Sequence, residues 1–115
     1  MNAESTIAPG VLEEIVRRVV EAAAPERIVV FGSAARGEAG MGSDVDLLVV
    51  KASADPLEVA RRIYRNLFGV GAAVDVVVVS PEDLERYRDS PGLVIGAALR
   101  EGKVVYDAAR AAAPG

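Results

Sequence analysis

Asp44 and Asp46 stand two residues apart at the head of an apolar run, DVDLLVV, and Asp75 opens a second, VDVVVV. Residues two apart on a strand share a face, so Asp44 and Asp46 point the same way and Val45 points into the opposite layer. Two unit charges ~4 Å apart repel by about 4 kcal/mol at an effective dielectric of ~20. Such clustering destabilises a fold unless a cation sits between the carboxylates. The chain contains no His and no Cys, so its ligand set is all oxygen. Oxygen ligands suit Mg²⁺ or Mn²⁺, bound jointly with substrate phosphates.

Gly32-Ser33 closes the apolar run RIVVFG. A glycine lets the backbone approach a ligand closely, and the amides after it, with the Ser33 hydroxyl, can donate to phosphate oxygens. Carboxylates holding two metals against bridging phosphates are the usual apparatus for in-line phosphoryl or nucleotidyl transfer. Each residue alone has a plainer reading. Gly-Ser is an ordinary turn and Asp44 an ordinary strand start. Asp46 and Asp75, inside valine and leucine runs, are harder to explain, and either could pair with Arg36 or Arg27. Three carboxylates converging at one place make a site.

The elements that must position these residues follow from periodicity. Val11, Leu12, Ile15, Val16, Val19 and Val20 recur at helical spacing and predict a helix from Gly10 to Ala24, stopped at Pro25. RIVVFG at 27–32 predicts a first strand, SAARGEAGMGS a loop, and DVDLLVV at 44–50 a second strand buried on both faces. Asp55-Pro56 caps and opens a helix carrying the stripe Leu57, Ala60, Ile63, Tyr64, Leu67 and Phe68, with Tyr64 at the core's edge. AVDVVVVS at 73–80 predicts a third strand, Ser80-Pro81 and Ser90-Pro91 two further helix starts, and KVVY a fourth strand. Tyr87 and Tyr106 are assigned to the surface or an interface, and DAARAAAPG to a frayed tail. The link between strands one and two is too short for a crossover, so they pair antiparallel. The helix between strands two and three predicts a parallel pair with a right-handed crossover. The fold class is therefore α/β in two layers: a mixed sheet of about four strands with helices mainly on one face. Gly32-Ser33, Asp44, Asp46 and Asp75 then meet at one edge of the sheet.

The chain has 115 residues, 51% of them hydrophobic and 26% charged, and suits one domain spanning 1–115 with a core over about 10–106. Net charge is −4, and the cations form no basic block, so direct nucleic-acid binding is not expected. The N-terminus shows neither a signal peptide nor a span, which makes a cytoplasmic location the expectation, with no membrane partner.

Gly32-Ser33, ten intervening residues, then Asp44-x-Asp46 opening an apolar strand resembles the signature of the DNA polymerase β-type nucleotidyltransferase superfamily. GSAARGEAGMGSDVDLLVV is especially similar to the minimal nucleotidyltransferases, MNT, antitoxins of HEPN/MNT toxin–antitoxin pairs. Asp75 matches the third carboxylate, and Ala35-Arg36-Gly37 and Ser43 match positions that family tends to fill this way. The resemblance implies a metal-dependent nucleotidyltransferase moving AMP from ATP to a hydroxyl. By the same resemblance Asp44, Asp46 and Asp75 would be the catalytic metal ligands, and Gly32 and Ser33 would grip the β/γ-phosphates. Arg36 is either a phosphate contact or an ion pair with the carboxylates; Ser43 orients the Asp pair or touches nucleotide. The implied acceptor is a tyrosine of a HEPN-type toxin. The alternatives are a non-catalytic antitoxin that occludes its partner, and an enzyme acting on a small molecule.

Overall fold

The computed structural model of the protein describes residues 10–32, 45–90 and 94–112. Ser33, Arg36, Ser43 and Asp44 lie outside them. The elements run α1 (Val11–Ala23), β1 (Arg27–Phe31), β2 (Val45–Val50), α2 (Pro56–Asn66), β3 (Val74–Val79), α3 (Pro81–Tyr87), α4 (Val94–Glu101), β4 (Lys103–Asp107) and α5 (Ala108–Ala112).

Local chemistry sets the boundaries. Ala24 takes a left-handed φ of 45° ahead of Pro25, and its N–H returns to the Val20 carbonyl at 2.8 Å, ending α1. Asp55 Oδ1 accepts from the Glu58 N–H at 3.1 Å, with Pro56 in the first turn of α2. Ser80 Oγ accepts from the Asp83 N–H at 3.0 Å and opens α3 in the same way. Ala108–Ala112, expected as part of a frayed tail, form a short helix. Asp107 Oδ1 accepts from the Ala109 N–H at 3.0 Å, and the alanines that follow have the highest helix propensity of any residue.

The sheet order is β3-β2-β1-β4. β1 pairs antiparallel with β2 and β4, and β2 pairs parallel with β3 through the α2 crossover, as the connection lengths predict. β2 is central, and five of its six residues are buried. Its alternation divides the core. Val45, Leu47 and Val49 join Ile15 and Val19 of α1 and Val59 and Ile63 of α2. Leu48 and Val50 join Val29, Val79, Leu84 of α3, and Ile95 and Ala98 of α4. The two long helices thus cover one face, and the short α3 and α4 cover part of the other. Burying each Val, Leu or Ile contributes roughly 1.5–3 kcal/mol, so these two clusters dominate stability. Arg27 stands at the start of β1, paired with Asp107 at 3.8 Å, and is not a partner for the aspartates at the other end.

Candidate active site

One edge of the sheet gathers the end of β1 and the beginnings of β2 and β3. Phe31 pairs with Asp46 across the antiparallel ladder, and Asp46 pairs with Asp75 across the parallel one. Neighbouring strands lie about 4.8 Å apart. The two aspartates therefore stand side by side in one row. They also share a face. Val45 is buried with α1 and α2, and Val74 and Val76 pack on that same cluster, so Asp46 and Asp75 take the other side with Leu48 and Val77. Asp46 is half-buried and Asp75 exposed.

Gly32 completes the row. Its φ is +75°, in the left-handed region that favours glycine. A Cβ built there would collide with Asp46 Oδ2 and come within 3.3 Å of its Cγ. The Asp46 carboxylate thus occupies the space that any other side chain at position 32 would fill. This is a requirement for glycine made by the carboxylate itself, and it ties the Gly-Ser turn to the first of the two aspartates. The floor beneath comes from Val29, Leu48, Ile95 and Ala98, with Phe31 packed against them. Gly102 closes it: a Cβ there would run into the Ala98 and Val30 carbonyls and Val29 Cγ1, so α4 lies directly on β1.

The donors fit a hard divalent cation. Asp46 and Asp75 offer carboxylate oxygens on adjacent strands, in a chain without imidazole or thiolate. No group of three His, Cys, Asp or Glu that could hold a metal forms among the described residues, and Asp44, the third expected ligand, is not one of them. Of the residues expected from sequence, then, the fold brings together Gly32, Asp46 and Asp75. Phe31, the lateral neighbour of Asp46, carried no sequence signal beyond its place at the end of an apolar run.

A cavity of about 340 Å³, lined by Glu26, Arg27, Leu84, Glu85 and Asp107, lies at the opposite end of the sheet and shares no residue with this row. No helix among the described residues is long and apolar enough to cross a membrane.

Comparison with known proteins adds to this geometry. The chain is similar in fold to a crystal structure described as a "putative nucleotidyltransferase" from Sulfolobus solfataricus, with a TM-score of 0.58 and 22% identity over 84% of this chain and 78% of that one. A search of the curated proteins finds no match. The family model for a nucleotidyltransferase domain matches residues 12–111, from the first turn of α1 into α5, and so spans Gly32, Asp46 and Asp75. The chain belongs to the nucleotidyltransferase-domain family.

Proposed function

We propose that the protein transfers AMP from ATP to a tyrosine hydroxyl of a HEPN-type toxin and so acts as its antitoxin. The observation that carries the reading is the row Gly32–Asp46–Asp75, with the glycine emptied of a side chain where the Asp46 carboxylate sits. Asp46 and Asp75, with Asp44, would hold Mg²⁺ or Mn²⁺, which when bound offsets phosphate charge as transfer proceeds. The amides after Gly32 and the Ser33 hydroxyl bind the β/γ-phosphates, supported by Arg36 and Ser43. Asp46 is half-buried, whereas Asp75 is exposed and open to an acceptor. An Asp75 carboxylate oxygen takes the proton of the acceptor hydroxyl. The acceptor oxygen bonds to the α-phosphorus, the bond from that phosphorus to the bridging oxygen breaks, and pyrophosphate leaves.

The acceptor reading rests on the resemblance of the Gly-Ser and Asp-x-Asp segment to the MNT antitoxins, and on the setting of Asp75. It is exposed at the head of an edge strand, where a partner's surface has room to approach. Holding a hydroxyl in line with the α-phosphate is worth several kcal/mol of barrier, and a protein acceptor supplies its own rigid frame for that.

The test is mass spectrometry of a HEPN-type partner incubated with this protein, ATP and Mg²⁺. An AMP adduct on a tyrosine is expected. Asp46→Asn should lower transfer by roughly 10³-fold or more with the fold retained, read as an unchanged far-UV circular dichroism spectrum. Full-strength neutralisation of the toxin by Asp46→Asn would instead establish occlusion without catalysis.

A further inference from the structure

The stripe predicted for α2 divides in the fold. Val59, Ile63 and Leu67 are buried, but Leu57 is 64% exposed, Tyr64 44% and Phe68 90%. Within α2, at about 100° per residue, Leu57 and Tyr64 project within roughly 20° of one another and Arg61 within about 60° of both, with Phe68 just past the helix end in the turn after Leu67. Single exposed apolar residues are normal, but three large ones on and just after one helix mark a contact surface. The stripe is also held rigidly. The Arg18 guanidinium donates to the Asn66 carbonyl at 3.4 Å and the Phe68 carbonyl at 3.1 Å, and the Phe68 N–H reaches the Arg65 carbonyl at 3.4 Å. Phe68 is thus presented to solvent on pinned backbone.

Four kinds of occupant compete for this surface, and charge and hydrogen bonding separate them. Exposed α2 carries Arg61, Arg62 and Arg65 against Glu58, which pairs with Arg61 at 3.4 Å and Arg65 at 3.7 Å. The helix is locally basic in a chain of net charge −4. A second copy would set these arginines against their own kind. An anionic membrane would repel the rest of the molecule. Addition of a strand at β3 meets an obstacle, because the Tyr64 hydroxyl already accepts the outward Val76 N–H at 2.8 Å. What remains is a helix with an apolar face flanked by carboxylates.

We propose that Leu57, Arg61, Tyr64 and Phe68, flanked by Arg65, dock an acidic amphipathic helix of a partner protein. α2 ends at the same edge of the sheet where β3 begins, so Phe68 precedes Asp75 by one short connection. A partner held there lies beside the candidate active site. That second point rests on the nucleotidyl-transfer reading, whereas docking does not.

The experiment is fluorescence anisotropy with two labelled synthetic helices of about five turns, one with a leucine face flanked by glutamates, the other with lysines in their place. No nucleotide or metal is added, so the result is independent of transfer activity. The acidic helix should bind at least about tenfold more tightly. Phe68→Ser and the pair Arg61→Glu, Arg65→Glu should each weaken it about tenfold or more, with unchanged melting curves, while Asp46→Asn binds as the parent does. Equal affinity for both helices, binding of neither, or indifference to Phe68→Ser overturns the proposal. Concentration-dependent dimerisation abolished by Phe68→Ser would assign the stripe to a second copy, and preferential binding to phosphatidylserine vesicles would assign it to a membrane; either result also overturns it.

Discussion

Gly32 and Gly69 allow a direct comparison at the scale of one residue. Both hold positive φ, +75° and +80°, so a Cβ strains the backbone similarly at each, by about 1–2 kcal/mol. They differ in what the Cβ meets. At Gly69 nothing lies within 4 Å, whereas at Gly32 the Cβ strikes the Asp46 carboxylate. Alanine should lower the melting temperature by a few degrees at Gly69 and by at least as much at Gly32, where Asp46 must also shift. Only Gly32→Ala should reduce nucleotidyl transfer, by about 10²-fold or more, because only there must Asp46 move. Equal activity of the two variants, measured as pyrophosphate release with ATP and Mg²⁺, would detach Gly32 from the reaction. Sequence alone made Gly32 and Asp46 partners by spacing, but it contained nothing to say that one takes the other's side-chain volume. That fact depends on the Phe31–Asp46 register, which a chain of similar apolar residues leaves open.

At the scale of elements, α1 and α2 show how far periodicity reaches. Ile15, Val19 and Ile63 are fully buried as their spacing predicts, and Val59, outside the predicted stripe, is buried with them. Leu57 and Tyr64 fit the same helical period and are exposed, because a period says which residues share a face and not what that face meets, and Phe68 falls past the end of α2. Ile63→Ala should therefore lower unfolding free energy by about 2–5 kcal/mol in urea denaturation, while Leu57→Ala should stay within roughly 0.5 kcal/mol of the parent. α1 also carries a pH-sensitive contact. The guanidinium groups of Arg17 and Arg18, donating to Glu14 at 2.6 and 2.7 Å, lower its carboxyl from 4.5 to about 2. The unfolded chain thus binds this proton more tightly than the folded one. Its stabilisation is present above pH 4.5 and is lost as pH falls from 4.5 towards 2. Glu14→Gln should make the melting temperature less dependent on pH across that window. An unaltered slope would mean that the pairing is too solvated to matter.

For the whole molecule, the connection lengths made strand directions legible. A short link between strands one and two and a helix between strands two and three fixed which pair runs antiparallel and which parallel. That was enough to bring Gly32, Asp46 and Asp75 to one edge. The position of β4 beside β1 was not legible, since edge and centre differ by long-range pairing that no local pattern encodes. The order β3-β2-β1-β4 predicts amide hydrogen exchange slowest in β1 and β2, at Val29, Leu48 and their neighbours, and faster by orders of magnitude in β3 and β4. Uniform protection across all four strands would contradict that ranking. The same order matters while the chain is being made. β1 receives its second neighbour only when Lys103–Asp107 emerges, long after its own synthesis. Until then the run Ile28-Val29-Val30-Phe31 has a bare flank of amides and carbonyls. A chain truncated before Lys103 should therefore aggregate more readily than the parent, read as light scattering on refolding, because that flank stays open.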